Sequence, residues 1–119
     1  MKTATFLAVD FGAGSGRVIA GTLSPEGQLT FKEIHRFSNS PEKRGGLMRW
    51  DFARLHSEMR AGLKKAAREC DGIVGIGVDT WGVDFGLIGP DGRLVEDPIC
   101  YRETAWEPMI SKLETIVSP

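Results

Sequence analysis

The sequence has few cysteines, no long apolar run and no excess of charge of either sign. Its cysteines, Cys70 and Cys100, lack the spacing of a metal site or of a disulfide framework. No stretch reaches the roughly 18 apolar residues that a membrane helix needs. The 15 basic and 16 acidic residues nearly cancel, so neither nucleic acid nor an anionic membrane is an expected partner. A cytoplasmic protein with reduced thiols is therefore the expectation.

The chain also lacks two well-known phosphate-binding motifs, although it carries a dense glycine run after an apolar segment. Glycines at positions 12, 14 and 16 lie between Asp10 and Arg17. A P-loop needs Gly-x-x-x-x-Gly-Lys-Ser/Thr, and no such lysine is present. A Rossmann loop needs Gly-x-Gly-x-x-Gly at the start of a helix, whereas the residues after Arg17 favour a strand. The run is therefore predicted to join two strands as a β-hairpin.

This glycine hairpin carries groups suited to the phosphates of a metal-bound nucleotide. Glycines let backbone N–H groups face an anion without obstruction by side chains. Ser15 adds a hydroxyl and Arg17 a bidentate cation, while Asp10 could hold a divalent cation, directly or through water. The alternative is a plain β-turn that uses glycine for its dihedral angles.

The first half of the chain is predicted to form strands and then one helix. Strands are expected over 6–10, 17–23 and 29–37, the last with a bulge where the apolar alternation slips. A polar loop over 38–46 and a short strand over 48–50 follow. Asp51 is predicted to cap a helix that Asp71-Gly72 ends. The apolar face of this helix consists of Leu55, Met59, Leu63, Ala66 and Cys70.

The second half is predicted to begin with a buried parallel strand over 73–78, because that segment is almost entirely apolar. Strands over 83–88 and 93–96 are expected around a turn at 89–92. A helix over 103–117 should hold Pro108 in or near its first turn.

This element order predicts an α/β fold of the ribonuclease H-like kind. Three meandering strands precede a crossover helix that lays the next strand beside the first. The loops after the first strand and after the crossover strand then open at the same edge of the sheet. The glycine hairpin and residues 79–82 should therefore face one cleft.

Residues 79–85 form a second group of candidate binding residues. Asp79 and Asp84 accept hydrogen bonds, Trp81 offers a flat apolar face to a sugar ring, and Gly82 lets a ligand approach the backbone. The alternative is that Trp81 fills the core and Asp79 caps a turn. Arg102 could reach a substrate oxygen or pair with Glu103.

Together these motifs resemble the first part of the rhamnulokinases, a branch of the FGGY carbohydrate kinase family. The resemblance runs from Leu7 to Arg102. It rests on Asp-Phe-Gly-Ala-Gly-Ser-Gly-Arg (10–17), Glu-Ile-His-Arg-Phe (33–37), Trp-Asp (50–51), Asp-Thr-Trp-Gly-Val-Asp-Phe (79–85) and Tyr-Arg (101–102). The hairpin is common to the whole family and to the actin/hexokinase/sugar-kinase ATPase superfamily, whereas the 79–85 string is specific to this branch. Position 14, often Ser or Thr in the family, is glycine here.

The resemblance implies ATP-dependent, Mg²⁺-dependent transfer of the γ-phosphate to the 1-hydroxyl of L-rhamnulose. Asp10 would lie near the metal. The implied ATP- and phosphate-binding residues are Asp10, Gly12, Ala13, Gly14, Ser15, Gly16 and Arg17. The implied sugar-binding residues are Gly82, Trp81, Asp79, Asp84 and Arg102.

The resemblance also implies that part of the kinase is missing. Family members have two domains and are about four times longer, and their general base is an Asp beyond residue 119 of this chain. Residues 1–119 are thus expected to be a truncated N-terminal domain without kinase activity of its own. The face that a second domain would cover is expected to promote self-association.

Other functions remain open on the sequence alone. Nothing in the spacing excludes L-fuculose or D-xylulose as the ketose. A non-catalytic actin-like regulator would keep the hairpin without needing residues 79–84 together. A stand-alone sugar-binding module would not need Asp10 and Arg17 beside the hairpin.

Overall fold

The computed structural model describes residues 2–117, which fall into two compact units. The first unit contains residues 2–40 and Phe52–Gly82, and the second contains Pro41–Asp51 and residues 83–117. The strands are β1 (Ala4–Phe11), β2 (Ser15–Leu23), β3 (Leu29–Ser38), β4 (Glu42–Arg44), β5 (Leu47–Arg49) and β6 (Ile73–Thr80). The helices are α1 (Phe52–Glu69) and α2 (Glu107–Glu114).

The first unit is a mixed α/β structure with the predicted topology. Its four-stranded sheet has the order β3-β2-β1-β6. The pairs β1–β2 and β2–β3 are antiparallel, whereas β6 lies parallel to β1 after the crossover through α1. Gly72, with φ of +62°, turns the chain from α1 into β6, a conformation that costs glycine little. The ribonuclease H-like arrangement expected from the element order is confirmed for these strands.

The core of the first unit lies between the sheet and α1. Its buried side chains are Leu7, Val9, Val18, Ala20, Ile34 and Ala66. The predicted apolar face of α1 is confirmed, since Met59, Leu63 and Cys70 pack against this cluster. Gly62 lets the helix approach closely, because a Cβ there would lie 2.4 Å from Cγ2 of Val18.

The predicted bulge in β3 is also confirmed. The register between β2 and β3 passes from Val18 opposite His35 to Ile19 opposite Glu33, which leaves Ile34 as the extra residue. The bulge lets Ile34 point into the core, where it is only 2% exposed.

The prediction that residues 73–78 are buried is wrong, although the strand and its parallel pairing are right. Val74, Ile76 and Val78 are 63%, 57% and 59% exposed. Within the described residues β6 is an edge strand, and α1 packs on β1, β2 and β3. The apolar pattern correctly indicates a strand, but among the described residues no element covers its side chains.

The second unit is less regular than predicted. Part of the expected 38–46 loop forms an antiparallel hairpin of β4 and β5, which turns at Gly45 and Gly46. The expected strands over 83–88 and 93–96 are reduced to an isolated bridge between Ile88 and Leu94, although the turn at 89–92 is present. Val83 has φ of +86°, which strand geometry does not allow and which β-branched residues rarely adopt.

The second helix is shorter than predicted. It spans Glu107–Glu114 rather than 103–117, and Pro108 lies in its first turn as expected. Asp51 directly precedes α1, and its role as a helix cap stays a prediction. No helix among residues 2–117 has both the length and the apolar character needed to cross a bilayer.

Candidate functional site

The glycine run joins β1 to β2 as a tight hairpin, as the sequence predicts. The last paired residues are Phe11 and Gly16, and the N–H of Gly12 donates to the carbonyl of Ser15 at 3.0 Å. The run therefore leads from strand to strand and not into a helix, which excludes a P-loop or Rossmann geometry.

Gly12 and Gly16 of the hairpin are required for space, and no glycine of the hairpin is required for a left-handed dihedral angle. None of Gly12, Gly14 and Gly16 has a positive φ. A Cβ at position 12 would lie 2.6 Å from the carbonyl oxygen of Ser15, and one at position 16 would lie 2.1 Å from the Phe37 ring. A Cβ at position 14 would meet nothing within 4 Å. The alternative of a turn that uses glycine for its dihedral angles is thus not what the structure shows.

A row of four charged residues crosses the sheet next to the hairpin. Arg36, Arg17, Asp10 and Asp79 are successive partners on β3, β2, β1 and β6. Because paired residues on neighbouring strands share a face, two cations and two carboxylates lie side by side. Nε of Arg17 lies 2.9 Å from Oδ2 of Asp10. In this row the two cations lie on β3 and β2, and the two carboxylates lie on β1 and β6.

Arg36 was not predicted as a site residue, yet it reaches the hairpin. Its Nη1 donates to Oγ of Ser15 at 3.4 Å, and its Nε donates to both carboxylate oxygens of Glu33 at 3.0 and 3.1 Å. The hydrogen bonds with Glu33 raise the pKa of Arg36 and lower the pKa of Glu33. Its place in the Glu-Ile-His-Arg-Phe string (33–37) is a sequence signal, but the bulge at Ile34 keeps its partner on β2 from being assigned by alternation alone.

The two predicted binding segments of the first unit share one edge of the sheet. Asp10 pairs with Asp79 and Phe11 with Thr80, so the hairpin and residues 81–82 leave the sheet side by side. Gly82 has open space around it, since a Cβ there would meet nothing within 4 Å. The predicted convergence of the two loops is confirmed, while the binding roles of these residues stay predictions.

Asp84 and Arg102 belong to the second unit, where other contacts engage them. Asp84 accepts a hydrogen bond from Nε1 of the buried Trp50 at 2.5 Å. Arg102 donates to the hydroxyl of Tyr101 at 2.9 Å, and its guanidinium lies 5.2 Å from that ring's centroid. The alternative that Arg102 pairs with Glu103 is not what residues 2–117 show, since Glu103 accepts the N–H groups of Met48 and Ala105.

A cavity of about 250 Å³ lies within the second unit, and Asp84 is part of its wall together with Arg49, Tyr101 and Trp106. Trp50, which donates to Asp84, is not among the binding residues that the sequence predicts. The Trp-Asp pair in the resemblance was the signal that could have drawn attention to it.

The carboxylates at the hairpin offer oxygen ligands for a divalent cation. Asp10 and Asp79 are neighbours across β1 and β6, and hard cations such as Mg²⁺ prefer such groups. Among residues 2–117, no cluster of three or more His, Cys, Asp or Glu side chains has the geometry of a complete metal site. A metal here would need further ligands, such as water and phosphate oxygens.

Solved structures similar to this chain define the class of fold. A gluconate kinase from Lactobacillus acidophilus matches with a TM-score of 0.75 at 11% identity, over 96% of this chain and 23% of that one. A xylulose kinase from Rhodospirillum rubrum matches with a TM-score of 0.70 at 16% identity, over 98% and 24%. The fold is therefore that of the sugar kinases of the actin/hexokinase-like ATPase group.

Sequence comparison shows which sugar kinases this chain resembles. No family model matches the chain. A rhamnulokinase from Enterococcus faecalis is 42% identical over 111 residues, which is 90% of this chain and 22% of the relative. A rhamnulokinase from Bacteroides thetaiotaomicron is 47% identical over 98 residues, which is 82% of this chain and 20% of the relative. The chain thus spans about a fifth of the length of these relatives, and along that segment the resemblance to rhamnulokinases is confirmed.

Proposed function

We propose that this chain is the phosphate- and sugar-binding part of an ATP-dependent kinase that phosphorylates L-rhamnulose. The observation that carries the proposal is the 42% identity to a rhamnulokinase over 90% of the chain. The convergence of the hairpin with residues 79–82 at one sheet edge supports it. The carboxylate of Asp10, beside Arg17 at the hairpin, fits a magnesium ion bound with the nucleotide.

In this proposal the cationic side of the hairpin receives the phosphates of ATP. The N–H groups of the turn and the hydroxyl of Ser15 donate to phosphate oxygens, and Arg17 and Arg36 supply positive charge. Arg17 would exchange its partner Asp10 for phosphate, and Asp10 would then hold Mg²⁺, directly or through water. The ion would neutralise the charge of the phosphates.

The sugar is proposed to bind next to the carboxylate side of the same edge. Trp81 would pack its ring on the C–H face of the ketose, while Asp79 accepts hydrogen bonds from its hydroxyl groups and Gly82 leaves room for it. The resemblance also assigns Asp84 and Arg102, which belong to the second unit, to sugar binding, and these two roles stay predictions. L-fuculose and D-xylulose are the alternative ketoses that a test must include.

The rest of the reaction is proposed to need a second domain. Phosphoryl transfer to a hydroxyl needs a base within reach of that hydroxyl, and no residue of this chain is assigned that role. The isolated chain should therefore bind ATP and the sugar without transferring phosphate between them.

Titration of the ¹⁵N-labelled chain with Mg·ATP tests the phosphate half of the proposal. We expect amide shifts concentrated at residues 12–17, a weaker response in an Arg17→Ala variant, and no ADP release in the presence of L-rhamnulose. Shifts confined to other parts of the chain would contradict the assignment of the hairpin. ATP-dependent phosphorylation of L-rhamnulose by the pure chain would contradict the need for a second domain.

A further inference from the structure

A buried polar side chain lies directly behind the glycine hairpin. Asn39 follows the end of β3 and is only 2% exposed. Its Nδ2 donates to the carbonyl of Gly12 at 2.9 Å, and its backbone N–H donates to the carbonyl of Gly14 at 3.1 Å. One residue thus holds two of the three carbonyls in the turn between β1 and β2.

These hydrogen bonds fix the direction of the donors that the hairpin offers. The Gly12–Ala13 peptide is trans, so the N–H of Ala13 points away from the carbonyl that Asn39 binds. Within residues 2–117, the N–H groups of Ala13 and Gly14 donate to no protein acceptor. Glycine flanks Ala13 on both sides, and glycine peptides rotate readily unless another group holds them.

We propose that Asn39 is a positioning residue, whose carboxamide holds the Gly12–Ala13 peptide so that the N–H of Ala13 faces the nucleotide phosphates. The inference rests on the proposed function, because it assigns the phosphates to this hairpin. Asn39 itself touches no phosphate. Preorganisation of the donor means that binding does not have to orient the peptide.

Two features separate this role from general stabilisation. First, the Gly14–Ser15 peptide is held by the backbone N–H of Asn39, which an Asn39→Ala change keeps. Second, Thr5 is a matched buried polar residue on the opposite end of β1, where its Oγ1 donates to the carbonyl of Asp71 at 2.8 Å. A Thr5→Val variant removes a comparable hydrogen bond without touching the hairpin.

The first measurement needs no ligand. Residual dipolar couplings of the N–H bonds are recorded for the unmodified 119-residue chain, Asn39→Ala and Thr5→Val. We expect the Ala13 N–H direction to change or average in Asn39→Ala, while the Ser15 N–H direction stays and Thr5→Val matches the unmodified chain. An unchanged Ala13 direction in Asn39→Ala would overturn the proposal.

The second measurement is titration of the same proteins with Mg·ATP. We expect Asn39→Ala to weaken binding by about tenfold, the worth of one oriented charge-assisted hydrogen bond, and Thr5→Val to leave it within twofold. Equal losses of Mg·ATP affinity in the two variants would show that Asn39 only stabilises the fold, and would overturn the proposal. If the unmodified chain binds no Mg·ATP, the proposed function fails with the inference. If it binds at the hairpin but Asn39→Ala binds equally well, only the inference fails.

Discussion

At the scale of single residues, the hairpin glycines differ in how much room their surroundings leave for a side chain. Gly16 lies against the ring of the buried Phe37, and Gly12 lies against the Ser15 carbonyl, so neither position has room for a side chain. Gly14 is exposed and has open space. A serine or threonine, which the family often has at this position, would therefore fit.

A Gly16→Ala change should destabilise the chain by about 1–3 kcal/mol, because its methyl group overpacks the Phe37 ring. Gly14→Ala is the matched control in the same turn, and we expect it to change stability by less than about 0.5 kcal/mol. Urea unfolding followed by circular dichroism measures both. Similar losses for the two variants would show that the close contact at Gly16 does not govern stability.

The sequence predicts the hairpin well because its signal is local. Glycine spacing and the strand-forming residues after Arg17 lie within a few positions of each other. Asn39 and Arg36 could not be predicted in the same way, because they reach the hairpin only through the β2–β3 register. That register is shifted by the bulge at Ile34.

At the scale of secondary structure elements, Glu103 connects β5 to the turn that follows Cys100. Its carboxylate accepts the N–H groups of Met48 and Ala105. These hydrogen bonds lower the pKa of Glu103 from the ordinary value of 4.5, and the one from Met48 has the largest effect. A single carboxylate thus holds two segments of the second unit that are distant in sequence.

The second unit should loosen in acid. Because the pKa of Glu103 is lower in the folded state, its contribution is fully present above pH 4.5 and is lost as the pH falls through the folded pKa. Amide exchange at Met48 should accelerate over that range. In a Glu103→Gln variant the exchange should already be faster at neutral pH and respond less to acid. An identical pH profile in the variant would show that Glu103 does not hold β5.

Element types follow from periodicity, whereas burial depends on what covers an element. The helical spacing from Leu55 to Cys70 predicts α1 and its packed face correctly. The apolar run over 73–78 predicts a strand equally well but says nothing about its neighbours, and β6 lies at the sheet edge. Residues 83–96 alternate like strands, yet among the described residues they find no partner strand that could pair with them regularly.

At the scale of the whole molecule, the chain corresponds to about a fifth of the length of the rhamnulokinases it resembles. The exposed apolar residues of β6 are the kind of surface that another domain or another copy covers. Self-association through such a surface stays a prediction, which light scattering over a concentration series would check. A monomer at all concentrations would count against it.

We propose that this chain supplies phosphate- and sugar-binding residues of a rhamnulokinase. The most direct measurement replaces the matching 111-residue segment of the Enterococcus faecalis rhamnulokinase with this chain and assays ketose phosphorylation. We predict a folded hybrid that phosphorylates L-rhamnulose in preference to L-fuculose and D-xylulose. In this hybrid Trp81→Ala should raise the KM for the sugar more than the KM for ATP. A folded hybrid that binds ATP but does not phosphorylate L-rhamnulose, or that prefers another ketose, would contradict the claim.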